Sequence, residues 1–472
     1  MFDPVIAPSG TLLGLLQRGR GDGTLHALTA PRPEALAALN HCVLHDPRHD
    51  WQVENRSLYY ARLYLDLNGE LDAIEAHLFD PEDVLDADES RTGLALAVLG
   101  HLASYGRLDA LQLLRRYAAH GVNWAWALDE LALRDDDAGL RALAAPVLAR
   151  FPRDPEGEAE LAVAVRDAFE PRPWRLWADD PRESIGTRVR AAQETGCFDR
   201  WQRQLTPAGP RPGWSVRAVF DWADQGAERG TALHVPAARC LLAVAGPEDR
   251  PEILEAASSG TEGARCTALH YLADGNDPAV LDLIEGAVVT GSTPVVEAAV
   301  AAYERMRSLA AVDRARGWVH RPDALGAAAG RVLACRGAAQ DRDLVLAALR
   351  EAVRGEGPDA PTLWTLADGA GRLGIACAAP VLRHIYRETA SSHLRGRAAR
   401  ALAVTDPSFA AGFAVECLWD CEETTRGVAA RHAETGDNRV VERLRRLAAD
   451  PAEEDEVQTA VRSRFGPDAP AV

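Results

Sequence analysis

The sequence contains no lysine, and all 52 of its basic residues are arginine. A P-loop NTPase and a protein kinase each need a lysine on the nucleotide phosphates, and a pyridoxal-phosphate enzyme needs one for its Schiff base. The missing lysine therefore excludes these three enzyme classes. Isoleucine (seven) and asparagine (six) are also scarce. Codon usage in a GC-rich genome accounts for all three shortages, and selection against a lysine-tagging system is the alternative.

Long apolar runs and paired cysteines are missing as well. No apolar run reaches the length of about 18 residues that a transmembrane helix needs. The first residues, Met-Phe-Asp-Pro, place an acid where a signal peptide carries positive charge. The eight cysteines are scattered singly, without a CxxC pair, which indicates free thiols in a reducing compartment. We therefore expect a cytoplasmic protein without a membrane segment.

Acidic residues dominate the charge of the chain. There are 70 aspartates and glutamates, and the formal net charge is −18. A surface with this excess of negative charge repels nucleic acid on average, so a nucleic-acid partner would need a local basic patch. Hydrophobic residues make up 47% and charged residues 26%, a balance that is typical of globular proteins and argues against general disorder.

Short internal repeats are visible in the C-terminal half. The motif Arg-Gly-x-Ala-Ala-Arg at 395–400 recurs at 426–431, and Ala-Arg-Cys at 238–240 recurs at 264–266. Each copy fits an alanine-rich helix, a short turn with Asp, Gly or Pro, and a second apolar helix. A helix pair of this size cannot bury its apolar stripe alone, so successive pairs have to stack.

The unit around residues 267–289 illustrates the pattern. Asp277 and Pro278 supply an N-cap and a first-turn proline for a second helix. The apolar residues of that helix recur at helical spacing and form one stripe. They are Val280, Leu283, Ile284, Ala287 and Val288.

These units resemble HEAT-type repeats, particularly the short bacterial kind, over roughly residues 232–451. The resemblance implies an all-α fold, an α-solenoid of stacked antiparallel helix pairs of the HEAT or ARM type. The N-terminal third repeats with a longer period, because Gly-x-Leu-Asp-Ala at 69–73 recurs at 106–110. The predicted organisation has four parts. They are an N-terminal helical array (1–170), an irregular segment rich in Trp, Arg and Pro (171–231), a C-terminal array (232–465) and a disordered tail (466–472).

The stretch 171–217 inverts the charge of the chain, with nine arginines against five acids and four interleaved tryptophans. Arginine beside exposed aromatic side chains is typical of contact sites for proteins and for single-stranded nucleic acids. The alternative is that the tryptophans pack a junction between arrays while the arginines pair with nearby acids. The predicted partner-binding residues are Trp174, Arg175, Trp177, Arg188, Arg190, Trp201, Arg203 and Trp214.

Two further patterns resemble ligand sites. Residues 369–374 match GxGxxG, but a dinucleotide site needs a preceding strand, and here we expect the glycines in a turn between helices. Residues 70–89 hold nine acids and no arginine. A calcium loop would need a mid-loop glycine, so we expect a solvated acidic loop, with a docking surface for a basic partner as the alternative.

Histidines and cysteines cluster at two places without a convincing ligand set. His41, Cys42, His45 and His49 are close together, but Pro47 interrupts the helix that would align them on zinc. Cys417 and Cys421 stand at helical spacing, with His432 beyond them, and fit buried cysteines better than ligands. We therefore predict no metal and no cofactor.

No catalytic motif such as HExxH or GxSxG occurs. HEAT-type hydroxylases use His-Glu dipeptides, which this chain lacks, and no residue matches the HEAT-type bilin lyases. HEAT-like DNA glycosylases use a catalytic aspartate, for which Asp221 or Asp224 could stand. The predicted function is a non-catalytic protein-binding scaffold or adaptor. A nucleic-acid-binding or glycosylase-like solenoid and a small-molecule enzyme in 171–231 are the alternatives.

Overall fold

The computed structural model describes residues 6–48, 50–80, 90–195 and 213–465. These ranges contain 28 α-helices, three short 3₁₀ turns and no β-strand, which confirms the predicted all-α class for this part of the chain. The helices are α1 Leu12–Gln17, α2 Gly21–Thr29, α3 Arg32–Leu44, α4 Ser57–Asp66, α5 Asp72–Leu78, α6 Ser90–Ser104, α7 Leu108–His120, α8 Trp124–Arg134, α9 Asp137–Leu148, α10 Pro155–Asp167, α11 Arg172–Ala178, α12 Glu183–Thr195, α13 Val216–Glu228, α14 His234–Val244, α15 Arg250–Ser259, α16 Glu262–Asp274, α17 Val280–Thr290, α18 Thr293–Arg305, α19 Leu309–Trp318, α20 Ala324–Arg336, α21 Arg342–Glu356, α22 Thr362–Arg372, α23 Ala379–Glu388, α24 Ser392–Thr405, α25 Phe413–Cys417, α26 Glu423–His432, α27 Asn438–Ala449 and α28 Asp455–Phe465.

Local sequence explains where these helices begin. The turn before α17 contains Asn276 with a positive φ of 53°, and the Asp277 carboxylate accepts a hydrogen bond from the amide of Ala279. Asp437 is the N-cap of α27 and accepts from the amide of Arg439. A side-chain acceptor at an N-cap satisfies an amide that has no partner inside the helix. The predicted turn before α17 is therefore present, but the N-cap of α17 is Ala279 rather than the predicted Asp277.

The apolar stripes predicted from spacing are buried. On α17 the buried positions are Val280, Leu281, Ile284 and Ala287, so three of the five predicted positions lie in the core. The segment 171–231, predicted to be irregular, contains α11, α12 and α13 in its described residues.

The chain divides into two compact units. The first comprises Met1–Arg203, Thr389–Gly396 and Ser408–Val472, and the second comprises Gln204–Glu388 and Arg397–Pro407. The first unit thus combines the N-terminal helices with the C-terminal helices α25 to α28. This division follows contacts in space, whereas the predicted arrays follow similarity in sequence, and the predicted array limits remain a prediction.

A buried polar cluster joins distant parts of the first unit, and we call it the clasp. Arg395, with a fully buried side chain, donates to the Asp420 carboxylate at 2.7 Å and to the carbonyl of Arg18 at 2.8 Å. Arg56 donates to the carbonyl of Ala390 at 2.8 Å. The remaining members are Gly19, whose carbonyl accepts from Cys421, and Glu54, which accepts from Ser392. Removing one partner from such a pair leaves a buried charge without compensation, which costs about 3–5 kcal/mol.

The sequence repeat at 395–400 and 426–431 corresponds to a repeated structural role. Arg426 is 3% exposed and forms an ion pair with Glu453 at 2.6 Å, just as Arg395 pairs with Asp420. Both arginines stand on alanine-rich helices and reach a carboxylate that lies just after the next helix, Asp420 after α25 and Glu453 after α27. The repeated motif therefore encodes a buried ion pair at the same point of each copy.

Arginine side chains also bridge from one helix to the end of an earlier one. The last carbonyls of a helix have no partner within it and carry partial negative charge, and the planar guanidinium can reach two of them at once. The examples are Arg188 on the carbonyls of Leu148 and Phe151, Arg372 on those of Ala334 and Gly337, and Arg464 on those of Ala430 and Ala433.

Small residues allow close helix packing in the second unit. A Cβ atom at Gly263 of α16 would lie 2.5 Å from the carbonyl carbon and oxygen of Ala223 on α13. A Cβ atom at Gly369 of α22 would clash with Ala334 of α20. Because neither glycine carries that atom, α13 and α16, and likewise α20 and α22, lie side by side.

Candidate binding groove

Two of the tryptophans that were predicted to contact a partner lie in the core, whereas Trp214 is half-buried. Trp174 is 3% exposed and Trp177 is fully buried. Their ring centroids are 4.9 Å apart, and the Trp177 indole donates a hydrogen bond to the carbonyl of Leu140 on α9 at 2.8 Å. The two side chains therefore pack α11 onto α9 within the first unit and offer no exposed face to a partner.

The arginines of the same stretch differ in exposure, and some of them are bonded within the fold. Arg188 donates to the carbonyls of Leu148 and Phe151 and pairs with Glu158 at 2.9 Å. Arg190 is exposed and donates to the carbonyl of Ala178, and Arg175 is exposed. The role of Arg188 at the end of α9 explains its presence without a partner protein.

The predicted site residues are not all in one unit. Trp214 belongs to the second unit, where its ring lies 5.3 Å from that of Trp222, whereas Trp174 to Arg190 belong to the first. Trp201 and Arg203 lie outside the described residues. The structure brings Trp174 and Trp177 together and shows no shared site for the full predicted set among the residues it describes.

A groove that the sequence did not reveal lies in the second unit, and we call it the α13–α18 groove. It has a volume of about 350 Å³ and lies between α13, the start of α14, α16 and α18. Its floor consists mainly of short side chains because α13, α16 and α18 present alanine, glycine and cysteine there. The residues that line it include Ala223, Ala227, Gly263, Cys266, Ala298 and Ala301, with Glu262, Glu297 and His234 at its sides.

The electrostatic surroundings of the groove are strongly negative. Residues 217–304 carry fourteen acids and five arginines, a net charge of −9, which is half the excess of the whole chain. Glu262 is exposed and accepts a hydrogen bond from the Ser292 hydroxyl at 2.6 Å, and Glu297 is also exposed. By contrast, residues 305–354 carry ten arginines and five acids, a net charge of +5. A positively charged ligand would therefore be favoured at the groove.

The thiol of Cys266 and the ring of His234 in the groove wall are neutral at physiological pH. Burial, and next the Glu262 carboxylate, raise the pKa of the Cys266 thiol to about 11. Burial lowers the pKa of His234, whose ring stacks on that of His270 at 5.1 Å. A protonated thiol is a poor nucleophile. The groove chemistry thus suits binding better than covalent catalysis.

His270 lies behind this wall and is fixed in its neutral form. It is 2% exposed, and Arg305 approaches its Nδ1 atom at 3.3 Å. Burial, and to a smaller extent electrostatic interactions with His234 and Arg305, lower the pKa of His270 to about 4. Its Nε2 atom has no hydrogen-bond partner among the described residues.

The glycines of the GxGxxG match have structural roles. Gly369 and Gly371 lie inside α22, where the prediction placed them in a turn, and a Cβ atom at Gly371 would lie 3.0 Å from Ala401. Gly374 does lie in the following turn, with a φ of +61°. No strand precedes them in the described chain. They permit close packing rather than contact with a phosphate.

The structure describes only part of the histidine cluster and of the acidic run, and it shows the role of Asp224. The rings of His41 and His45 are 5.2 Å apart, and His49 lies outside the described residues. The acidic run 70–89 is described only up to Asp80, which forms an ion pair with Arg91. Asp224 accepts from the amide of Ala264, so it caps the start of α16.

Cys417 is buried, as predicted. Cys421 is part of the clasp, where burial raises the pKa of its thiol to about 11.

The described residues contain neither a cluster of possible metal ligands nor a helix that could span a membrane. No three His, Cys, Asp or Glu side chains come together there as possible ligands. None of the helices in those ranges combines the length and apolar character needed to cross a membrane. The groove is therefore the strongest candidate site of the described chain. No protein-family model matches this sequence, and no curated protein and no solved structure is similar enough to it to indicate a family.

Proposed function

We propose that this protein is a non-catalytic scaffold that holds another protein, and that its helix pairs are HEAT-type repeats stacked as an α-solenoid. Packing within the second unit supports the stacking. There α16 packs against α18 and α20 packs against α22, so helices two apart along the chain are neighbours. Each of these helices also packs against the helix next to it in sequence. Stacked pairs make both kinds of contact.

The observation that carries the binding function is the α13–α18 groove. It is lined mainly by short apolar side chains, together with the carboxylates of Glu262 and Glu297. Enzyme sites for small molecules more often combine an enclosed apolar pocket with convergent titratable groups. In this groove Cys266 and His234 are neutral, and the glutamates stand at the sides.

Affinity capture followed by cross-link mapping tests the proposal. The full chain is immobilised and exposed to native lysate, bound proteins are cross-linked, and the cross-linked positions are located by mass spectrometry. We expect one protein in stoichiometric amount, with cross-links concentrated on one face of the described helices. The same bait with Ala301→Phe, which fills the groove, should retain less of it, and Ala347→Phe on the exposed face of α21 is the matched control.

Two results would refute the scaffold function. One is the absence of any protein retained above the level of an unrelated acidic bait of similar charge. The other is a stable complex with duplex DNA or RNA in a gel shift at low salt, because that would favour the nucleic-acid alternative.

A further inference from the structure

The floor of the α13–α18 groove has room for a side chain from outside. Ala227 and Ala301 are accessible from solvent, and neither reaches across the groove. The groove volume of about 350 Å³ is at the lower end of the roughly 300–1,000 Å³ that is typical of ligand sites. A small aliphatic side chain of a partner could therefore be buried there, and burial of apolar surface would favour its binding.

The charged side chains that line the groove itself are both carboxylates. Glu262 and Glu297 flank the groove, and Glu262 is engaged by a neutral hydroxyl rather than by an arginine. On the neighbouring helix α15, Glu252 and Glu255 are exposed and line a second pocket, in which Arg217 pairs with Asp221. Exposed carboxylates close together repel each other, and a cationic partner relieves this repulsion.

Arginines in residues 305–354, which follow the groove in the sequence, already form ion pairs with acids. Arg305 pairs with Asp274, and Arg314 pairs with Asp282 at 2.7 Å and with Glu285 at 3.2 Å. These pairs neutralise acids on α16 and α17, whereas Glu297 forms no ion pair within the described residues. The uncompensated charge is thus concentrated beside the groove.

We propose that the α13–α18 groove binds a positively charged segment of a partner protein. A short aliphatic side chain of that segment packs on the alanine floor, and arginine or lysine side chains next to it pair with Glu262 and Glu297. This inference rests on the proposed scaffold function and adds the chemical class of the partner. Like-charge repulsion from the same carboxylates excludes nucleic acids and acidic segments, which gives the groove its selectivity.

Binding of a peptide library to the full chain tests this inference. The probes are fluorescent 15-residue peptides with zero to six arginines or lysines on an alanine and leucine background, and acidic peptides serve as counterparts. Anisotropy is measured at low and at physiological salt. We expect affinity to rise with positive charge, to fall as salt screens the carboxylates, and to be undetectable for acidic peptides.

Substitutions then locate the binding site. We expect Glu262→Gln combined with Glu297→Gln to weaken the best peptide by about tenfold, and Ala301→Phe to weaken it at least as much. The matched controls are Glu160→Gln combined with Glu434→Gln, which removes the same charge from exposed positions of the first unit, and Ala347→Phe. Circular dichroism confirms that each variant is folded.

Three results would overturn the inference: no basic peptide binds, acidic peptides bind equally well, or the groove variants and their controls lose affinity alike. These results leave the scaffold function open to its own test. If affinity capture still yields a stoichiometric protein whose cross-links avoid the groove, the scaffold stands and only the basic partner at this groove is refuted. If capture also fails, both are refuted.

Discussion

The first unit contains fully buried ion pairs, whereas each ion pair described in the second unit keeps a partly exposed arginine. In the first unit, Arg395 and Asp420 are fully buried and join segments that are far apart in the sequence. In the second unit, Arg316 and Arg383 pair with buried aspartates but remain about one-third exposed, at 33% and 37%. The acids beside the α13–α18 groove are exposed.

This difference separates stability from binding. A buried pair fixes which segments meet, because a single partner without the other is costly, while an exposed pair contributes little to stability. The clasp therefore serves the fold of the first unit. The groove carboxylates add little to the stability of the second unit and remain available for a ligand.

Removal of one clasp partner should have the largest effect. We expect Arg395→Ala to destabilise the first unit by about 3–5 kcal/mol, because Asp420 would remain buried and charged without the guanidinium that compensates its charge. Urea unfolding followed by circular dichroism measures the change. The exposed pair of Arg217 and Asp221 provides the comparison, and Arg217→Ala should cost less than about 1 kcal/mol. Equal losses in the two variants would remove the distinction between the units.

A double substitution sharpens the same test. Replacing both partners with apolar residues, as in Arg395→Met with Asp420→Leu, leaves no buried charge. We expect this variant to recover most of the stability that Arg395→Ala loses. A double variant as unstable as the single one would mean that the bond from Arg395 to the carbonyl of Arg18, rather than the ion pair, holds the clasp together.

Mild acid should destabilise the second unit more than the first. We expect this effect on stability to be slightly smaller than that of Arg395→Ala. The pKa of His270 is lowered to about 4 in the folded second unit, from an ordinary value of 6.5. A lowered histidine pKa stabilises the fold above the unfolded value, and this contribution is lost as pH falls from about 6.5 to about 4. The full difference corresponds to roughly 3 kcal/mol.

The first unit contains a carboxyl group whose titration changes stability in the direction opposite to that of a buried histidine. Burial lowers the pKa of His101 to about 4 but raises the pKa of Glu130 to about 7. A carboxyl with a raised pKa destabilises the fold at neutral pH, and this penalty is relieved as pH falls from about 7 to about 4.5. The two effects oppose each other, so we expect the first unit to be less sensitive to mild acid than the second.

Hydrogen exchange at pH 7 and pH 5, corrected for intrinsic rates, measures this difference at α16 and at α6. His270→Gln should reduce the loss of protection at α16, whereas His101→Gln should leave α16 unchanged. If both variants behaved like the wild type at α16, His270 would not be the group that responds to acid there.

The sequence predicts helices better than it predicts sites. Apolar spacing identified α17 and the turn at Asp277 because a helix stripe and an N-cap are local patterns. The burial of Arg395 could not be inferred, because hydropathy assigns arginine to the surface and its partner Asp420 lies 25 residues away. The aromatic side chains Trp174 and Trp177 fitted both a core and a contact site, and only their packing on α9 distinguishes the two.

No sequence motif marks the α13–α18 groove. Its floor is formed by alanine and glycine, and a cavity arises there because side chains are short, not because a particular residue is present. The one signal in the sequence was the net charge of −9 over residues 217–304, which becomes visible when charge is counted by region. The contact of Gly263 with Ala223 joins helices whose sequences give no indication of that pairing.

Close packing in the second unit provides the test with the smallest expected effect. Gly369→Ala places a methyl group against Ala334 and should destabilise the unit by about 1–3 kcal/mol, as overpacking of a core does. Gly286 on α17 is the matched control, because a Cβ atom there would meet no atom within 4 Å. Gly286→Ala should stabilise the unit by up to about 1 kcal/mol through helix propensity. Urea unfolding measures both changes. Opposite signs would show that the missing side chain at Gly369 lets α20 and α22 pack closely. Equal stabilisation would show that α20 and α22 can separate without loss.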